Sequence, residues 1–326
     1  MSALLSVMLA AAAVVSQPAP FDLTYLPRTG TSVFAVRPGA LAKQLGDQDK
    51  TAADMVLRTL AAAFAFIDGD LKAAAPPALA DVDQVIVAAN LAMSIEQQQN
   101  GQGALNMTGV SSGLVRTAKP FDWTGRVKKW FPKAELVKHA GREYFRVPIT
   151  FGKDTSYLGL FAADSRTLAF DTTEDEIKGL LSRLEKKLVP ATPAGWDEVK
   201  HDMVALCHDA TADGWLTAPE KPKREIDQAL ATAARKTTGL ALGFTAGDRT
   251  TLRIVAATRN ESDAKEVRTA IKAVLANLAA DEDTDPLAAK LLKRATVSRD
   301  GATVRASGSV AGNLLRGLLA PSTERE

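Results

Sequence analysis

The chain has 326 residues, 46% of them hydrophobic and 24% charged, with only 6% aromatic. That length suits two domains of ordinary size, and the composition excludes a disordered or fibrous protein. Forty basic residues against 38 acidic ones leave a net charge of +2, which gives no electrostatic case for a nucleic-acid partner.

The first segment reads as an export signal. Ala3 to Val15 is an uncharged run of mostly Leu, Val and Ala, followed at once by Ser16-Gln17-Pro18-Ala19-Pro20. This is the pattern of a secretory h-region with a small-residue cleavage site after Ser16, with Val14 at minus three, or after Ala19. The run falls short of the roughly 20 residues a membrane-spanning helix needs. No Lys or Arg precedes it, so the α-amino group is its only positive charge, and the competing reading is a buried N-terminal helix. A signal over 1–19 implies a periplasmic or secreted protein, and no later stretch is apolar enough for a transmembrane span in the mature chain. Cys207 is the single cysteine, so no internal disulfide can form.

From there strands and helices alternate. Thr31 to Arg37 is a β-rich run closed by Pro38-Gly39. Val56, Leu60, Phe64 and Ile67 share one helical face. Val82 to Met93 reads as a strand, Ser94 to Asn106 as a polar loop, and Gly113 to Thr117 as the returning strand. Asp122 caps a helix whose inward face is Trp123, Val127, Trp130 and Phe131. Strands at 135–138 and 143–150 flank His139-Ala140-Gly141-Arg142, and a second hairpin spans 157–171. Thr173 and Glu176 suggest a capping box for a helix burying Ile177, Leu180, Leu181 and Leu184. Pro190 and Pro193 mark a linker.

The second half repeats the order. His201 to His208 reads as a strand and Glu220 to Arg235 as a helix. Strands at 240–244 and 251–257 follow, then a helix capped by Asn260 with Val267, Ile271, Val274, Leu275 and Leu278 on one face. Strands at 295–299 and 303–306 precede a closing helix over Val310 to Leu319. Val33–Arg37 matches Val204–His208, and, with no gap among them, Leu114-Val115, Val127 and Phe131 match Ile254-Val255, Val267 and Ile271. The expected fold is α+β: two related β-α-β-β-α-β-β-α modules at 20–190 and 195–326, with mainly antiparallel sheets and helices packed on one face. The extra hairpin at 155–171 and an insert at 281–293, with Asp285 as helix cap, should lie at the periphery.

Candidate motifs do not survive their contexts. Gly109-Val110-Ser111-Ser112-Gly113 fits G-x-S-x-G, but a strand follows Ser111 where a nucleophile elbow needs a helix. Ser262-Asp263-Ala264-Lys265 has S-x-x-K spacing and Lys236-Thr237-Thr238-Gly239 approaches K-T-G, in the wrong order and with an extra Thr. Asp281, Asp283 and Asp285 begin like a calcium loop, yet Pro286 and Leu292 occupy the positions that need Gly and Glu. His201, Cys207, His208 and Asp209 are metal-ligand types, but on a strand His208 points away from His201 and Cys207. His139 could join them only through a tertiary contact. Arg126, Lys128, Lys129 and Lys133 surround Trp130 and Phe131, which suits either an anionic surface or a solvated face over core aromatics.

Phe21-Asp22-Leu23-Thr24-Tyr25-Leu26-Pro27 leading to Val33-Phe34-Ala35-Val36-Arg37-Pro38, together with Leu168-Ala169-Phe170-Asp171 before Glu174-Asp175-Glu176-Ile177, resembles uncharacterised exported bacterial proteins. The resemblance implies no activity and transfers no site residue. The expectation is therefore a non-catalytic binding or scaffold protein of the cell envelope, with no catalytic, cofactor-binding or metal residue assigned. An envelope protein or polymer is the expected partner. The competing expectation is a periplasmic hydrolase with a site between the modules, which needs converging carboxylates or histidines in a cleft there; an exposed apolar face would favour binding.

Overall fold

Runs such as Val33–Val36 and Val85–Ala89 are apolar at consecutive positions, so as strands they need cover on both faces. In the computed structural model, which describes residues 18–27, 32–45, 76–94, 106–151, 154–211, 216–217, 225–281, 284 and 286–311, they lie inside one large sheet. Its strands are β1 (Ser32–Val36), β2 (Val82–Ser94), β3 (Asn106–Thr117), β4 (Glu135–His139), β5 (Arg142–Phe151), β6 (Asp154–Ala162), β7 (Thr167–Asp171), β8 (Val204–Asp209), β9 (Leu216–Thr217), β10 (Thr237–Thr245), β11 (Arg249–Thr258), β12 (Thr296–Asp300) and β13 (Thr303–Ala311). The described helices are α1 (Pro38–Leu45), α2 (Trp123–Trp130), α3 (Glu174–Glu185), α4 (Trp196–Val199), α5 (Glu225–Lys236), α6 (Glu261–Ala280) and α7 (Pro286–Lys293).

The sheet order is β12-β13-β11-β10-β8-β1-β2-β3-β7-β6-β5-β4, and β9 adds a short parallel pairing to β2. All pairs along the main path are antiparallel. β1 and β8 join the two halves, with Ser32 opposite His208 and Val36 opposite Val204. Outward from this seam the first half runs β1-β2-β3-(β7-β6)-β5-β4 and the second β8-β10-β11-β13-β12.

Two apolar layers sandwich the sheet. Val33, Ala35, Ile86, Ala88, Leu114, Ala205, Cys207, Ala241 and Val255 face a core completed by α3 through Ile177, Leu180 and Leu181. Trp196 and Val199 of α4, with Phe21, Leu23 and Leu26 of the N-terminal segment, complete the same core. Alternate residues of the same strands, Val36, Val85, Val87 and Val115, face the other way toward Leu41 of α1 and toward Trp123, Val127 and Trp130 of α2. In the second half that opposite face packs Ala256, Val304 and Ala306 on Val267, Ile271 and Leu275 of α6. The caps behave as short polar side chains should: Asp122 accepts from Gly125 N and Asn260 from Asp263 N, each at 2.9 Å.

Several expectations are corrected. Helices cover both faces rather than one, because α3 and α4 pack opposite α2 and α6. The extra hairpin is not peripheral: β6 and β7 insert into the sheet between β3 and β5. The ungapped match slips by one residue, since Val33 and Val255 face one core while Val115 and the partly buried Val204 face the other. With period-two side chains such a slip exchanges faces. Along the ladders Ala35–Ile86–Leu114 in the first half and Cys207–Ala241–Val255 in the second are cross-strand rows that face the same core. Thr173 makes no capping bond, because Asp171 Oδ1 takes both its N–H (2.8 Å) and its hydroxyl (2.9 Å). β13 extends to Ala311, so the closing helix cannot begin at Val310. The rest of that helix, the helical stretch at 56–67 and the Asp285 cap lie outside the described residues.

Gly113 shows how tightly β3 is packed. A Cβ there would meet the Phe170 ring at 2.3 Å and Ile86 O at 2.9 Å. The last glycine of the G-x-S-x-G pattern is therefore a packing residue. Gly113→Ala should destabilise the protein by about 1–3 kcal/mol, measured as a lower urea midpoint with an unchanged m-value; an unchanged midpoint would show that Phe170 moves aside freely.

Candidate functional site at the junction of the halves

At the junction the two sheet faces differ. On the first, Ala205, Cys207, Ala241 and Val255 are fully buried beneath α4 and the segment 18–27. That segment is tied to both halves. Arg37, only 4% exposed, donates to Ala19 O, to Asp202 O at 3.1 Å and to Lys200 O at 3.3 Å. Its guanidinium lies 4.2 Å from the Phe21 ring centroid. Burial lowers the Arg37 pKa, opposed by the Asp83 and Asp202 carboxylates. Phe21 N donates to Lys200 O at 2.9 Å, and Asp22 pairs with Arg116 at 3.1 Å. Arg183 donates to Leu26 O at 2.6 Å and to Pro27 O at 3.0 Å. Beside this strap the buried Asp202 accepts from Arg253 and from Thr245 Oγ1. Its other oxygen lies over Gly243, where a Cβ would be 2.0 Å from it.

The second face carries an apolar strip. By register Phe34 pairs with Leu206, Leu206 with Leu242 and Leu242 with Ile254, and all four are only half-buried. The adjacent row, Val204, Phe244 and Leu252, is half-buried too. Described helices flank this strip: Phe34 and Val204 edge the α1 and α2 layer, Leu240 and Ile254 the α6 layer, and Phe244 and Leu252 the side of α7. At one end the strip turns polar, where Ser32 Oγ and His208 Nδ1 are hydrogen-bonded at 2.5 Å, the donor being set by the imidazole tautomer. Ser32 and His208 are 2% and 4% exposed.

The structure keeps most sequence candidates apart. His201 lies in the turn before β8 and donates from Nδ1 to Pro18 O at 2.7 Å. Cys207 sits in the first core, and burial pushes its thiol up to about 12, the signature of an unreactive cysteine. Asp209 accepts from Thr211 N at 3.0 Å and Thr211 Oγ1 at 2.6 Å, which hold its carboxyl below the usual range. His139, on β4 at the far sheet edge, bonds Ser182 at 2.9 Å. Among the described residues, no group of three His, Cys, Asp or Glu could hold a metal ion. Lys236 joins α5 to α6 by pairing with Asp263 at 3.1 Å and Glu266 at 2.6 Å, and Ser262 is an exposed first-turn residue of α6. Trp123, Trp130 and Phe131 are core, whereas Lys128, Lys129 and Lys133 are exposed. Asp281 follows α6 as its C-cap residue; Asp283 and Asp285 lie outside the described residues, as does the side chain of Ser111. Sequence reasoning missed Ser32 and Arg37, whose roles arise from contacts with residues over 160 positions away.

Two outcomes follow from this chemistry. Burial lowers the pKa of His208 below its ordinary 6.5, opposed by Asp209. The unfolded chain therefore takes up this proton at a higher pH than the folded one. The His208 contribution is intact above about pH 6.5, and stability declines as pH falls below that toward the folded pKa. The slope is at most about 1.4 kcal/mol per pH unit, read from urea midpoints between pH 7.5 and 5.5; His208→Gln should flatten it. Cys207 should resist thiol reagents in the native protein and react once per chain in denaturant.

Among the described residues no helix is long and apolar enough to cross a membrane. No family model matches the chain, and no curated protein matches it. A solved structure titled "Structure of crystal form I of TP0453" is similar over 93% of this chain and 98% of its own, at 9% identity and a TM-score of 0.39, a likeness that carries no functional argument.

Proposed function

We propose that this chain is an exported protein of the cell envelope that acts by binding or scaffolding rather than by catalysis, and that the apolar strip at the junction is its contact surface. The observation that carries the reading is the continuity of Phe34, Leu206, Leu242 and Ile254, half-buried side by side across four strands. A contiguous row of half-buried apolar side chains is the kind of surface on which a partner can complete the burial. The competing hydrolase would need a base, a nucleophile and room for substrate at the junction. The junction pair nearest to that chemistry is Ser32–His208, which is sealed within the strands, while Asp209 is committed to Thr211.

The same reading includes an internal duplication. It is supported by the shared strand order outward from β1 and β8, with β6 and β7 as an insertion in the first half. α2 and α6 each follow the third strand and place a fully buried valine, Val127 or Val267, over the same face. The outer hairpins both turn on a glycine with positive φ, Gly141 at 70° and Gly301 at 55°.

The strip is tested with anilinonaphthalene sulfonate, a probe of accessible apolar surface. Native protein should bind the dye, and Leu206→Ser with Leu242→Ser should remove most of the fluorescence while the chain still unfolds in one cooperative transition at a somewhat lower midpoint. Dye binding that ignores both substitutions would overturn the assignment. Ester hydrolysis by the purified chain, abolished by Ser32→Ala, would overturn the non-catalytic reading.

A further inference from the structure

The sheet ends at β12, which pairs only with β13 among the described strands. Half of its backbone groups therefore point away from the sheet. Asp300 pairs with Thr303 across a two-residue turn, followed by Ser298 with Arg305 and Thr296 with Ser307. The pair beside such a turn is hydrogen-bonded, so alternation commits Thr296, Ser298 and Asp300 to the ladder and turns Val297 and Arg299 outward. Arg268 of α6 confirms the direction, because its Nε donates to Val297 O at 3.3 Å.

Against this open edge lies a groove of about 410 Å³ between α6, α7 and β12. Leu275 and Ala279 of α6, Leu292 of α7 and Val297 of β12 give it apolar walls, and Lys272 and Lys293 complete the lining. Both lysines are exposed, and among the described residues neither has an ion-pair partner. Acidic side chains at this end of the molecule are committed elsewhere. Glu261 pairs with Arg299 at 3.4 Å and Asp300 with Arg305 at 3.5 Å, while Asp263 and Glu266 both hold Lys236.

The geometry points to a second binding site, separate from the junction strip, at which an extended acidic peptide segment of another protein adds to β12 as an antiparallel strand. Strand addition draws affinity from backbone hydrogen bonds and specificity from alternate side chains. A peptide residue opposite Val297 exchanges both backbone bonds with it and places an apolar side chain in the groove beside Leu275 and Leu292. The residues two positions before and after it share that face and carry carboxylates. Lys272, Lys293 and Arg299 supply the counter-charges, and Arg268 exchanges Val297 O for a carboxylate as the peptide N–H takes its place. Charge selects the class of ligand, since cations without partners beside apolar walls favour an acidic occupant and repel a basic one. An anionic single-chain amphiphile would use the lysines and the walls but none of the outward backbone groups, and those groups favour the peptide.

Fluorescence polarisation of the labelled peptide Thr-Glu-Thr-Val-Thr-Glu-Thr, blocked at both ends, against the purified full chain tests the site. Binding should be saturable. Lys272→Glu with Lys293→Glu should weaken it about tenfold or more, with circular dichroism and melting confirming that the chain remains folded. Replacing both peptide glutamates with lysine, which leaves the protein untouched, should cost about as much. Methylating the valine nitrogen of the peptide removes the donor that faces Val297 O and should weaken binding about tenfold. Methylating the threonine nitrogen next to it, which faces solvent, should change little. Absence of saturable binding, or binding indifferent to both charge exchanges, overturns the proposal. Binding that needs the lysines but ignores valine methylation, with dodecanoate displacing the peptide, overturns strand addition and assigns the groove to an anionic amphiphile.

Discussion

The pairing of β1 with β8 is the contact on which the rest of the architecture depends. Without it each half would end in a strand with an unpaired row of backbone N–H and C=O groups, apolar on both sides. Such an edge invites promiscuous association. Joining the two edges satisfies both at once and merges the layers on either side, so that a single core contains Val33 and Ile86 from one half and Ala205, Ala241 and Val255 from the other. The seam then receives its own fastenings, since Arg37 reaches backbone carbonyls of Asp202 and Lys200 across it.

The two faces of the sheet are covered by different kinds of element. On the face of α2 and α6, cover comes from helices that occupy the same place in the order of each half. On the opposite face the described cover is of mixed kind: α3 after the inserted hairpin, α4 in the connection, and the non-helical N-terminal segment through Phe21, Leu23 and Leu26. The repeated helices flank their own halves, which leaves the half-buried strip at the centre.

Much of the element order was legible because it rests on local signals. The Asp122 and Asn260 caps, the apolar face at Val127 and the turns at Gly141 and Gly301 are all set within a few residues. The assignment of strand faces was not, because an apolar pair such as Leu114-Val115 reads equally well in either orientation. Only the ladder, Ala35–Ile86–Leu114 against Cys207–Ala241–Val255, fixes it. The insertion of β6 and β7 was hidden for a related reason. A hairpin that joins the sheet edge and one that enters between strands have the same local sequence. The strip was hidden too, since Phe34, Leu206 and Leu242 look like core residues until the positions of the helices are known.

The Ser32–His208 pair gains a meaning from the same ambiguity. Across the seam, Val33-Phe34-Ala35-Val36 faces Val204-Ala205-Leu206-Cys207, and a shift of two residues would keep every side chain on its proper face. Hydrophobic patterning alone therefore specifies this register weakly, although both halves depend on it. A hydroxyl and an imidazole directly opposite each other remove the degeneracy. In the observed register they satisfy one another, and in a shifted one each would be set against an apolar neighbour at the cost of a buried polar group without that bond. Arg37 acts in the same direction, because its guanidinium finds the carbonyls of Asp202 and Lys200 only when Val36 stands opposite Val204. The groups that most resemble catalytic equipment are thus placed where a sheet built from two similar apolar edges most needs polar specification.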